Sequence, residues 1–116
     1  MHEYSLVRSL LQRVEAEARS RAATAVRRIT VRIGALAGVE PRLFVSAYEV
    51  CRPGTVCATA DLVIATEAIC WRCDTCGAVI PTGDALTCPT CRLPARLSSG
   101  DALTLERIEL EVQDDV

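Results

Sequence analysis

Between Tyr4 and about Ala22, apolar residues recur three or four positions apart at Leu6, Val7, Leu10, Leu11, Val14 and Ala18, while Arg8, Gln12, Glu15 and Arg19 take the other side. That period predicts a helix with one buried stripe. From Val26 the period becomes two: Ile29, Val31 and Ile33 alternate with Arg28, Thr30 and Arg32 until Gly34, which predicts a half-buried strand. Helical spacing returns after the small-residue turn "GALAGVEP" at Leu43, Phe44, Ala47, Tyr48 and Cys51. Pro41 fits the first turn of this second helix, where a missing N–H costs nothing, and "RPG" at 52–54 stops it. A second strand is expected in "DLVIATEA", with Leu62 and Ile64 on one face. In the closing "DALTLERIELEV", Leu103 and Leu105 have one parity and Ile108, Leu110 and Val112 the other. One residue near Glu106 and Arg107 is therefore out of step, and a β-bulge accounts for it.

Residues 70–97 lack this periodicity and are rich in cysteine, proline, glycine and threonine. The order helix, strand, helix, strand, insertion, strand predicts an α+β fold in which two helices pack on a roughly three-stranded sheet. A four-cysteine, zinc-ribbon-like unit is inserted before the last strand. Residues 1–69 and 98–116 would form the body and 70–97 the inserted domain.

Length and composition narrow the chemistry. A chain of 116 residues accommodates one modest core and a small stapled unit, not two large cores. Half of the residues are apolar and 24% charged, the balance of a globular protein. Tyr4, Phe44, Tyr48 and Trp71 are the only aromatics, so the core is aliphatic and no platform exists for stacking bases. Thirteen arginines and no lysine are offset by acids to a net charge of −2, which argues against a nucleic-acid partner. No apolar run has membrane-spanning length and no signal peptide is evident, so a cytoplasmic location is expected. In a reducing compartment, seven cysteines point to metal ligation rather than disulfides, and an odd number prevents complete pairing.

Cys73 and Cys76 form one C-x2-C pair and Cys88 and Cys91 another, eleven residues on. Two such knuckles face to face supply the tetrahedral thiolate set that zinc prefers. Four sulfurs close the site to water and substrate, which implies a structural zinc. A rubredoxin-like iron centre shares this geometry, although few aromatics are available to shield it. Thioredoxin-like redox pairs lack the flanking βαβ context. Cys70 offers an alternative register with Cys73, but Gly77 makes "C-D-T-C-G" the better knuckle. Cys51, on the apolar helix stripe, is expected to be a small buried hydrophobe, and Cys57 and Cys70 to be equally inert.

His2 is the single histidine. With Met1 retained, its α-amine, the amide nitrogen of His2 and the His2 imidazole can close fused chelate rings on one ion, with Glu3 supplying an amide or carboxylate. Deprotonated amides favour square-planar Cu(II) or Ni(II). Such a site is open and labile, and protons compete for it.

"MHE" with its following helix, "VRIGALAGVEP", "AYEV" before "PGT", the two CxxC knuckles and the closing "RIELEV" together resemble the HypA/HybF family of hydrogenase and urease nickel-incorporation proteins. The resemblance spans nearly the whole chain in one order. It implies a small α+β nickel metallochaperone, not an enzyme, that delivers Ni2+ during maturation of [NiFe]-hydrogenase and, in some members, of urease. Nickel would be held at Met1, His2 and Glu3, and structural Zn2+ at Cys73, Cys76, Cys88 and Cys91. The implied partners are a HypB-type GTPase and the hydrogenase large subunit, with the chain a monomer or weak homodimer. Some members carry histidines beside the zinc knuckles; this chain has none there. The competing function is a zinc-ribbon interaction module of transcription or translation with an incidental Met-His-Glu start. A hydrolytic or redox enzyme fits least, since catalytic zinc needs an open coordination position.

Overall fold

The computed structural model describes residues 2–81 and 86–113. In chain order the elements are α1 (His2–Ser20), β1 (Ala23–Gly34), α2 (Pro41–Cys51), β2 (Asp61–Glu67), β3 (Cys70–Arg72), β4 (Val79–Ile80), β5 (Arg96–Ser99) and β6 (Leu103–Val112). The α+β expectation holds: α1, β1, α2, β2 and β6 fall where periodicity puts them. The strands separate into two sheets, ordered β2-β1-β6 and β4-β3-β5.

In the first sheet β1 is central, parallel to β2 and antiparallel to β6. A parallel pair needs a crossover, and α2 with its flanking turns provides it. The apolar stripe of α1 is buried at Val7, Leu10, Leu11, Val14 and Ala18. It meets Val26, Ile29, Val31 and Ile33 of β1 and Phe44, Ala47 and Tyr48 of α2 in one core. Val26 and Ile29 are three residues apart yet share a face because the β1/β6 register shifts between Val26 and Arg28. The bulge expected in β6 is present: pairing steps from Thr30 with Arg107 to Val31 with Leu105, leaving Glu106 as the extra residue. Glu106 hydrogen-bonds Arg32, whose guanidinium also faces Glu67 at 3.5 Å.

Pro41 occupies the first turn of α2, as expected, and Glu40 caps it, its side chain accepting from the Leu43 N–H at 2.9 Å. At the other end the Tyr48 hydroxyl donates to the Ala60 carbonyl at 2.9 Å, and the Arg52 guanidinium donates to the same oxygen at 2.9 Å. These bonds hold the 52–60 loop against α2. Cys57 in that loop is fully buried, whereas Cys51 is half-buried. The helix stripe thus turns Cys51 only partly inward.

The second sheet was not expected from the sequence. Trp71 pairs with Ile80 and with Leu97, and the strands have three, two and four residues. Its buried residues are Cys73, Ile80 and Cys88, with Trp71, Cys91 and Ala95 against them. No described helix is long and apolar enough to cross a membrane.

Candidate metal centres

Both knuckles are built by the same backbone bonds. In the first, the Gly77 N–H donates to the Cys73 carbonyl at 2.9 Å and the Cys73 N–H to the Ala78 carbonyl at 3.0 Å. In the second, the Arg92 N–H donates to the Cys88 carbonyl at 2.8 Å and the Cys88 N–H to the Leu93 carbonyl at 2.9 Å. Each turn closes through a left-handed residue four places after its first cysteine, Gly77 at φ 75° and Arg92 at φ 56°. Glycine tolerates that conformation; a residue with a Cβ is strained there.

The turns bring the sulfurs of Cys73, Cys76, Cys88 and Cys91 within 4.8 Å of one another. The Cys76 and Cys88 sulfurs are 3.7 Å apart. With Zn–S bonds of ~2.3 Å, the edge of a tetrahedral sulfur set is about 3.8 Å, so the spacing fits an ion at the centre. It is far beyond the ~2.05 Å of a disulfide. Cys70 begins β3 opposite Ser99 and is not one of the clustered sulfurs.

Electrostatics point the same way. Backbone N–H groups of Cys76 and then Thr75 draw the Cys73 thiol down to about 7, while hydrogen bonds with the Cys73 and Cys76 sulfurs push Cys91 up to about 12. Four crowded sulfurs cannot all shed their protons without a cation among them. A divalent ion removes that conflict. Cys76 is exposed and Cys91 half-buried, thin cover that suits redox-inert zinc better than an iron centre.

The N-terminal candidates are placed separately. His2 is exposed as the first residue of α1 and Glu3 half-buried in its first turn, while Met1 lies outside the described residues. Among the described residues no cluster of three or more potential ligands includes His2 or Glu3. The first turn of a helix leaves its amide N–H groups without intrahelical acceptors. The amide nitrogens that a square-planar metal would take are thus unclaimed by the helix. Arg21 and Ala22 form a two-residue turn between α1 and β1.

An α+β body that begins with a helix carrying an exposed histidine, joined to a closed four-thiolate unit, defines a small two-part metal-handling protein. The family model for hydrogenase/urease nickel incorporation, metallochaperone, hypA matches residues 1–110. The chain belongs to this HypA family. It is 41% identical over 118 residues to the hydrogenase maturation factor HypA of Wolinella succinogenes, covering 99% of each chain. It is 38% identical to that of Aquifex aeolicus over 97% of this chain and 99% of the relative. The solution structure of the Ni metallochaperone HypA from Helicobacter pylori superposes with a TM-score of 0.74 at 30% identity, covering 96% of this chain and 98% of that one. A second HypA solution structure gives 0.79 at 32% identity, with coverage of 95% and 96%. Nickel incorporation is therefore favoured over a zinc-ribbon module of transcription or translation.

Proposed function

We propose that this chain is a nickel metallochaperone of hydrogenase maturation that carries Ni(II) on Met1, His2 and Glu3 and keeps a structural zinc on Cys73, Cys76, Cys88 and Cys91. The observation that carries this function is family membership over residues 1–110. Residues 1–69 and 98–116 act as the nickel-binding domain and 70–97 as the zinc-binding domain.

Donor chemistry divides the two metals. The thiolate set is complete, so its zinc has no position through which to exchange. At the helix start, the Met1 amine, the His2 amide and the exposed His2 imidazole offer Ni(II) a nitrogen set, with Glu3 completing it or contacting a partner. The positive end of the α1 dipole disfavours a bare cation but favours deprotonated amides. Nickel is thus held by ligands that release protons on binding and regain them one at a time on transfer. Ligand exchange of this kind needs a recipient, not a catalytic residue: the chain is a carrier rather than an enzyme. It hands nickel to the hydrogenase large subunit in the cytoplasm with a HypB-type GTPase, and the same chemistry could serve urease.

Ni(II) titration of untagged, zinc-loaded protein tests the assignment. Substituting His2 by Ala, or adding one residue before Met1, is expected to weaken nickel binding at least tenfold with zinc content unchanged. Unaltered affinity in both variants removes the N-terminal site.

A further inference from the structure

The second sheet hangs from the body by two chain segments, Glu67 to Cys70 outgoing and Ser99 to Leu103 returning. Backbone packing is tight where they meet. A Cβ on Gly34 would lie 2.3 Å from the carbonyl carbon and oxygen of Gly100, and one on Gly100 2.8 Å from the Ala68 oxygen. The Gly34 N–H donates to the Ala102 carbonyl at 2.9 Å and the Leu36 N–H to the Gly100 carbonyl at 2.7 Å. These bonds fasten the returning segment to β1.

A side chain joins the returning segment to the outgoing one. Glu67 ends β2, and its Oε1 accepts from the Gly100 N–H at 3.0 Å while its Oε2 faces Arg32 Nη1 at 3.5 Å. Arg32 is held from the other side by Glu106, the extra residue of the β6 bulge. All three strands of the body therefore meet at the Arg32 guanidinium, and one of its two carboxylate partners, Glu67, stands at the root of the knuckle sheet. Gly100 has φ 98°, a conformation that glycine reaches freely and that can rotate if nothing holds its amide. The carboxylate holds it.

We propose that Glu67 is a positioning residue: its carboxylate, anchored by Arg32 and the bulge residue Glu106, fixes the direction in which the zinc unit leaves the body. That direction sets how the zinc unit is presented relative to the body that carries the nickel ligands, and this consequence rests on the proposed nickel site. The orientation itself does not depend on nickel and can be measured without it.

The experiment compares residual dipolar couplings and 15N relaxation of zinc-loaded wild type, Glu67→Ala and Glu67→Gln. In wild type the body amides and those of β3, β4 and β5 should report one alignment tensor. In Glu67→Ala the alignment magnitude of the unit should fall to roughly half that of the body or less, with a shorter local correlation time. Zinc content and the body's β1 amide shifts should not change. Equal tensors for the two parts in Glu67→Ala overturn the proposal. If that variant does not fold, Glu67→Gln decides: it keeps an acceptor for the Gly100 N–H but removes the charge facing Arg32. A smaller fall then supports the proposal, and an unchanged tensor overturns it. Nickel affinity, measured in parallel, should match wild type. Loss of nickel binding in wild type itself would sink the nickel assignment and leave the orientation result standing.

Discussion

The body and the knuckle unit bury different kinds of atoms. Among the described residues the body encloses fourteen buried ones, from Val7 to Ala60, mostly aliphatic and drawn from two helices, a central strand and a loop. The described residues of the unit enclose three, and two of them, Cys73 and Cys88, belong to the sulfur cluster. Among its described residues Ile80 is the one buried aliphatic side chain. Apolar burial contributes roughly 25 cal/mol per Å2, so a cluster this small does not offset the entropy of ordering about thirty residues. The body folds around side chains. The unit folds around an ion, and its ligands are its core.

The largest expected effect follows from that contrast. Structural zinc contributes an apparent ~10–16 kcal/mol in zinc-finger peptides, so Cys88→Ser, or removal of zinc by a chelator, should unfold the unit alone. Hydrogen exchange should show amides of β3, β4 and β5 losing protection while those of β1 keep it. If β1 also loses protection, the two regions form one cooperative unit and the contrast is wrong.

The reciprocal change comes next. Ile29 is fully buried at the centre of β1, and Ile29→Ala should destabilise the body by ~2–5 kcal/mol through lost burial and the cavity left behind. Denaturant titration followed by far-UV dichroism reads that loss, and a colorimetric zinc assay at low denaturant should still find a full complement. Zinc lost in step with the body would mean that the unit borrows its stability.

What the sequence disclosed follows the same division. Long elements repeat their period often enough to be read: of six apolar positions that specify the face of α1 five are buried, and a parity change places the bulge near Glu106 and Arg107, where Glu106 is the extra residue. The paired cysteines were legible because metal chemistry restricts their spacing. The strands around them were not, since two to four residues cannot display an alternation, and "CWR", "VI" and "RLSS" carry no period. Glu67 was hidden for another reason. Its partners Arg32 and Gly100 lie 35 and 33 residues away, and a charged residue at a strand end gives no local sign of such a contact. Met1 lies outside the described residues, so the amine end of the nickel proposal rests on the titration.

A smaller effect probes the polar tether inside the apolar body. Burial, followed by the nearby Cys57, pushes the Tyr48 phenol far above its ordinary value, and its hydroxyl donates to the Ala60 carbonyl. Tyr48→Phe should cost about 1 kcal/mol near neutral pH, the usual net worth of one such bond. The sign of the pH dependence follows from the raised value. The folded state keeps a proton that the unfolded chain releases above pH ~10, so this contribution is complete below that pH and fades as pH rises further. The stability gap between wild type and Tyr48→Phe, measured by urea unfolding, should therefore narrow above pH 10. A constant gap would show that lost packing, not the protonated hydroxyl, sets the cost.

The smallest effect separates the two knuckles from each other. Gly77 and Arg92 hold equivalent left-handed positions and make equivalent bonds to Cys73 and Cys88, so only the second knuckle bears the strain of a Cβ there. That conformation costs an L-residue ~1–2 kcal/mol, against which glycine adds ~0.5–1 kcal/mol of unfolded-chain entropy. Arg92→Gly should leave a net gain of a few tenths of a kcal/mol, seen as slightly slower zinc loss to a competing chelator. The opposite sign would also be informative. Four thiolates around one divalent ion carry two negative charges in excess, and Arg92 follows the last of them in the chain. Faster zinc loss in Arg92→Gly, reversed by Arg92→Lys but not by Arg92→Gln, would show that the charge outweighs the backbone strain, and that the second knuckle keeps its side chain for electrostatic reasons.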